Sequence, residues 1–317
     1  MPAPGVHGSR QPAHPWGIRR HSVGMTWHAA YAQLGVRIAS RAQLLAVGAT
    51  GRGLTAAVRG GHLVRARRDH YCLPGTEAAI IQAVRVGGVI GCVSALAARG
   101  VFVLDASFTH AHLDREASRC RSPRDRRVPL NSRERDGVEL HWSPLLEPAS
   151  DWSVGIADAL AQAARCQHPW HAVASIDSAL FLKFITPADL DRIFSILPAR
   201  LQSLRDCVDG RAEAGQESVL RMILREAGLR YEVQPTFPGI GRVDLLVEGR
   251  LVLEADSRTA HDGWAPHVRD RDRDLALARL GLMSLRPVYQ RTMFGPEGVR
   301  DAVLHLLAAD SRFRARL

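Results

Sequence analysis

The chain has 317 residues, 46% of them hydrophobic, and a formal net charge of +10 from 42 Lys and Arg against 32 Asp and Glu. That length suits two or three domains with ordinary cores. No apolar run nears the roughly 20 residues of a membrane span, and residues 1–24 hold no apolar stretch of the kind a secretory signal needs, so neither a membrane partner nor secretion is expected.

Residues 1–24 read as a disordered extension, with Met25 placed just before the first helical pattern. The five cysteines, Cys72, Cys92, Cys120, Cys166 and Cys207, are odd in number and widely spaced. They fit no disulfide or zinc framework, so the expected setting is a reduced, cytoplasmic, nucleoid-associated protein. Cys166-x-His168-x-x-His171 reads as a loop between helices, because that spacing is not a usual metal motif.

Residues 25–75 give helices followed by a hairpin. Thr26–Leu34 is helical and closed by Gly35; Ser40-x-x-Gln43 is a capping box opening a helix to Val47. A third helix spans about Thr50–Arg59, and Leu63–Arg67 and His70–Leu73 are strands joined at Arg68-Asp69. This order predicts a winged helix-turn-helix. Residues 36–75 also resemble the N-terminal domain of AbiEi-type antitoxins, in Gln43-Leu44-Leu45-Ala46-x-Gly48, Gly61-His62-Leu63-Val64-Arg65 and His70-Tyr71-Cys72-Leu73-Pro74-Gly75. Such a module sets its third helix in the major groove and its wing along the backbone. DNA is then the partner, with Arg52, Thr55 and Arg59 on the helix and Arg65, Arg67 and Arg68 on the wing. The stretch 52–68 holds five Arg and no acid; a merely solvated basic rim is the competing reading.

Residues 76–212 read as an α/β middle domain. Ala78–Val86, Val93–Arg99, Ile156–Arg165 and Val173–Phe184 are helical, Ser107–Leu113 and Val138–Trp142 are strands, and Thr186-Pro187 opens a helix to about Leu197. Arg115–Arg135 is an exposed basic loop. By analogy with the antitoxin family, this region would make oligomer or DNA contacts, as a homodimer or with a partner protein.

Residues 213–317 carry 16 Arg against 15 acids, a net of +1, so the remaining +9 lies ahead of them. A basic front before an acid-rich domain fits nucleic-acid binding. A helix over Glu213–Ala227, stopped by Gly228, precedes a strand at Tyr231–Phe237. Val243–Val247 and Leu251–Ala255 follow as a hairpin turning at Glu248-Gly249-Arg250, then come a helix over Pro266–Leu280, a strand over Leu282–Val288 and a last helix over Glu297–Ala309. Asp244, Glu254 and Asp256 ride on that hairpin. Carboxylates set among Val and Leu call for a cation, and a hard divalent ion suits oxygen ligands.

This order, with Glu217 on the first helix, Asp244 on one strand and Glu254-x-Asp256 on the next, resembles the PD-(D/E)XK nuclease superfamily, and more narrowly its DUF559 branch, related to very-short-patch-repair endonucleases. The resemblance covers about residues 213–295. It implies a restriction-endonuclease-like mixed sheet flanked by helices, α/β locally and α+β over the chain. It also implies Mg²⁺ or Mn²⁺ held by Asp244, Glu254 and Asp256. Glu217 would complete that shell, His261 would act as acid or base, and Asp270 and Arg273 would orient His261 and neutralise phosphate. The superfamily's usual Lys is replaced by Asp256, as is common in this branch, and 213–317 contains no Lys. Two functions follow: a DNA-binding, metal-dependent endonuclease acting in repair, phage defence or a toxin–antitoxin setting, or a DNA-binding regulator whose nuclease fold is inert.

Overall fold

The computed structural model describes residues 26–131, 137–256 and 264–314, with side chains of 264–267, 269, 270 and 311–314 outside the description. It is a mixed α/β protein. The extension at 1–24, Met25 and His261 lie outside the described residues.

The first unit runs α1 (Trp27–Leu34), β1 (Ala39–Ser40), α2 (Arg41–Ala46), α3 (Gly51–Arg59), β2 (Val64–Arg67) and β3 (His70–Cys72). Its caps are local. Thr26, Ser40 and Thr50 accept backbone N–H groups at the three helix starts, and Gln43 returns the bond to Ser40. Leu44, Leu54, Ala57, Leu63 and Tyr71 form a small core. The sheet order β1-β3-β2 makes β2–β3 a wing, turning through Asp69 at φ 61°.

That wing does not stand free. Ala66 and Cys72 are buried in the core of the next unit, and the carboxylate of Asp151 accepts from both Arg37 N and Ile38 N at 2.7 Å. Residue 75 is therefore a boundary in sequence pattern but not in packing.

The second unit contains α4 (Ala78–Val86), β4 (Val89–Ile90), α5 (Cys92–Ala97), β5 (Thr109–His112), β6 (Val138–His141), α6 (Ile156–Cys166), α7 (Pro169–Phe181) and α8 (Asp189–Ser195). A 3₁₀ stretch, Ala199–Cys207, ends it. β5 pairs antiparallel with β4 and parallel with β6. Alanine-rich α6 and α7 pack closely around Leu160, Val173 and Ile176.

The third unit contains α9 (Gly215–Glu226), β7 (Tyr231–Val233), β8 (Thr236–Phe237), β9 (Gly241–Arg242), β10 (Leu245–Val247), β11 (Leu251–Leu253), α10 (Trp264–Arg279), β12 (Met283–Leu285), α11 (Tyr289–Phe294) and α12 (Pro296–Arg314). The strand expected over Tyr231–Phe237 is broken because Gln234 takes φ 55° before Pro235, which has no N–H for a ladder. The main sheet is ordered β12-β11-β10-β7, antiparallel except for the parallel β11–β12 pair. The hairpin turn places Glu248 at φ 50° and Gly249 at φ 65°, the left-handed pair that matches strand twist.

Both sheet faces are covered. Leu245, Val247, Leu251 and Leu253 pack with α9, α11 and α12; Leu246 and Val252 pack with Leu277 of α10. Alternation along each strand thus buries both sets. Ala174 of α7 joins the first of these cores, so the second and third units share packing across residue 213.

Candidate functional site

The hairpin register pairs Leu245 with Leu253, which brings Asp244 and Glu254 side by side where the two strands leave the ladder. Asp244 Oδ2 accepts from Ala255 N at 2.8 Å. Burial, and the nearby Glu254 charge, raise its pKa above the ordinary carboxylate range.

Glu217, in the first turn of α9, is 8% exposed. Its carboxylate accepts from Ala214 N at 3.0 Å and Glu213 N at 3.3 Å, closing the helix start. Burial first, and the Asp244 charge second, push its pKa up to about 7. Among the described residues no guanidinium lies within 4.0 Å of Asp244 or Glu217. Burial and mutual repulsion thus raise the cost of charging both acids, and the Arg273 and Arg242 charges, which favour the Asp244 anion, offset this only in part.

Glu254 is placed differently. Its Oε1 accepts from Arg273 Nη2 of α10 at 2.6 Å, and its Oε2 from Arg286 Nε, just past β12, at 2.7 Å. Arg286 also pairs with Asp274 at 2.8 Å. Arg273 therefore neutralises a carboxylate, and no phosphate is needed to explain its position. Arg286 was not singled out in the sequence, since a lone Arg after a short strand carries no pattern.

Asp256 is exposed and bridges Val288 across the sheet end. It lines an open cleft with Glu213, Gln216 and Tyr289. Asp270 belongs to α10, but its side chain is outside the description. The candidate centre visible here is thus Glu217, Asp244 and Glu254, with Arg273 and Arg286 closing one side.

The basic front end is similarly divided. Arg52, Thr55 and Arg59 are exposed on α3, and spacings of three and seven put them on one helix face. Arg68 is exposed at the wing tip. Arg65 lies 6.0 Å over the Tyr71 ring, and its Nε is buried without a partner. Arg67 turns inward, donating to the Arg119 carbonyl at 3.4 Å.

Among the described residues, the group of three or more metal-type ligands whose donor atoms lie mutually close is elsewhere. Cys92, His110, His141 and Cys166 each offer an atom within 4.8 Å of the others. The expectation that the cysteines fit no metal framework did not anticipate this group. Local spacing could not reveal it, because the four residues come from α5, β5, β6 and α6. His168 and His171 are not in the group; they lie beside each other with rings 5.7 Å apart.

Comparison of the chain with protein-family models and with curated proteins finds no match.

Proposed function

We propose that this chain is a DNA-binding protein whose C-terminal domain hydrolyses phosphodiester bonds with a divalent metal ion. One observation carries the reading. Buried Glu217 and half-buried Asp244 have raised pKa values and no arginine within ion-pair distance among the described residues, the more distant Arg273 and Arg242 only partly offsetting the rise at Asp244, beside a sheet of helix–three-strand–helix–strand order. Buried acids so arranged call for a cation, and Mg²⁺ commonly takes only one or two protein carboxylates, with water and substrate phosphate supplying the rest.

Asp244 would hold the ion, with Glu217 reached directly or through water. A divalent ion supplies Lewis-acid polarisation of a phosphodiester. Without the ion, burial and the Asp244 charge hold the Glu217 pKa up at about 7; a cation beside it would favour the carboxylate form, suited to hold the ion or orient its water. The guanidinium groups of Arg273 and Arg286 place two positive charges beside Glu254. Their charge would substitute for that of the superfamily's usual Lys, whose position Asp256 takes, and their side chains can transfer from Glu254 to a phosphate. The outward Arg52, Arg59 and Arg68 would track the DNA backbone.

A second reading, a DNA-binding regulator with an inert nuclease fold, draws on a separate observation. Both Glu254 oxygens are already taken by guanidinium groups. The experiment is incubation of the purified chain with supercoiled and linear duplex DNA in Mg²⁺ or Mn²⁺. Cleavage that Asp244→Asn abolishes supports the nuclease. No cleavage with either ion, and DNA affinity indifferent to that substitution, supports the regulator.

A further inference from the structure

Two cysteines and two histidines from four separate elements converge in the second unit. Cys92 is the first residue of α5, His110 lies on β5, His141 ends β6 and Cys166 ends α6. His110 Nδ1 is 3.0 Å from His141 Nε2 and 3.8 Å from Cys166 Sγ. A tetrahedral zinc ion with bonds of about 2.3 Å to sulfur and about 2.0–2.1 Å to nitrogen separates its ligand atoms by about 3.3–3.8 Å. These two separations bracket that range, and all four donor atoms lie within 4.8 Å of one another, close enough for small side-chain adjustments to bring them around one ion.

We propose that Cys92, His110, His141 and Cys166 form a structural zinc site that clamps α5, β5, β6 and α6 together. The donor chemistry selects the ion. Thiolate sulfur and imidazole nitrogen in a four-ligand set suit Zn²⁺ and not Mg²⁺ or Ca²⁺. Binding releases the two thiol protons, so the doubly charged ion and two thiolates leave the half-buried site neutral. Four protein ligands complete a tetrahedron and leave no open position, which makes the site structural.

Two further features fit. Cys92 has φ 49°, a left-handed conformation that non-glycine residues rarely adopt and that concentrates at ligand clamps. Its N–H is fixed on Gln162 Oε1 at 2.9 Å, so α6 contributes both a ligand and the bond that holds the Cys92 backbone. Burial also grades across the set. Cys92 is buried, the histidines are half-buried and Cys166 is exposed, giving the ion a way in.

A competing use of the same atoms is a Cys92–Cys166 disulfide, and another is a metal-free hydrogen-bonded cluster. The full-length chain, purified under reducing conditions without added metal, is analysed for zinc and then reloaded with Co²⁺. The expected result is about one zinc per chain, and a Co²⁺ spectrum with strong tetrahedral bands and thiolate-to-cobalt charge transfer. That signature cannot come from the carboxylates around Asp244, so it is independent of the nuclease reading. Cys166→Ser should lose the stoichiometric zinc and most of the charge transfer, while a His168→Ala, His171→Ala double variant should keep both. A reduced wild-type chain that binds neither ion would overturn the proposal. So would a weak octahedral Co²⁺ spectrum, or a Cys92–Cys166 disulfide found by peptide mapping in place of zinc. These outcomes rest on the wild-type chain, whatever the folding of the variants.

Discussion

Arg221 of α9 and Asp177 of α7 form an ion pair at 2.5 Å with side chains 4% and 0% exposed. Ser218 donates to the same Asp177 oxygen at 2.7 Å, and Asp209 N donates to the other at 2.7 Å. Arg221 also donates to the Cys207 carbonyl at 3.0 Å. Burial nonetheless raises the Asp177 pKa to about 6. The pair lies where the second unit meets the helix that bears Glu217, so it fixes the position of that helix.

Removing one partner should be far worse than removing both. Arg221→Leu leaves a buried carboxylate uncompensated and should cost about 3–5 kcal/mol. Asp177→Asn combined with Arg221→Met should cost much less. Denaturant unfolding of the three chains checks this; equal losses in the single and the double variant would refute it.

The Glu217 pKa predicts a pH dependence for the metal-free protein. Its folded pKa is about 7 against an ordinary 4.5, so the folded state binds the proton more tightly than the unfolded one. Stability is then highest below about pH 4.5 and declines as pH rises through 7, by an order of about 3 kcal/mol if this group acts alone. Melting in a chelator between pH 5 and 8 should show the decline, and Glu217→Gln should flatten it. A profile unchanged by Glu217→Gln would show that this carboxylate does not feel the burial described.

Freeing Glu254 separates the two functional readings. Arg286→Ala removes the 2.7 Å contact to Glu254 Oε2 and the pair with Asp274. If Glu254 helps to hold a metal, Mn²⁺ affinity measured by calorimetry should rise while cleavage falls. Under the regulator reading the variant loses stability alone, and no Mn²⁺ binds before or after the change.

The front end makes a prediction with an internal control. Arg52→Ala, Arg59→Ala and Arg68→Ala together should weaken duplex binding across sequences and lower the salt slope by about 2–3. Arg67→Ala should leave the slope nearly unchanged, because Arg67 already donates to Arg119. Fluorescence titrations at several salt concentrations read both. An effect of Arg67 as large as that of Arg52 would mean that the wing detaches from the second unit on DNA.

Local signals were the legible ones. The helix starts at Ser40 and Thr50, the Glu248-Gly249 turn and the order of elements around Asp244 and Glu254 all depend on neighbours in sequence. Long-range pairing was not legible. Nothing in Arg286 announces that it meets Glu254, 32 positions earlier. His110 and His141 look like ordinary strand residues until the parallel β5–β6 pair brings their rings within 5.2 Å. α11 falls in the gap between the expected strand and the last helix, because its six residues are too few to show a period. Arg67 misled for the opposite reason, since its charge was plain but its neighbours were hidden.

Gly215, the first residue of α9, has a ring of Phe102 where a Cβ would stand. Phe102 is itself tied to α7, its N–H bound to Ser178 Oγ at 3.0 Å and its carbonyl to Ser175 Oγ at 2.8 Å. The missing methyl therefore sets the angle at which α9 leaves, two residues before Glu217. Recombination between relatives of such a chain would tolerate a crossover upstream of Phe102. A crossover between Phe102 and Gly215 would be viable only when both parents carry the ring and the notch together. Exchange of the C-terminal third alone is thus the wrong unit for building chimaeras.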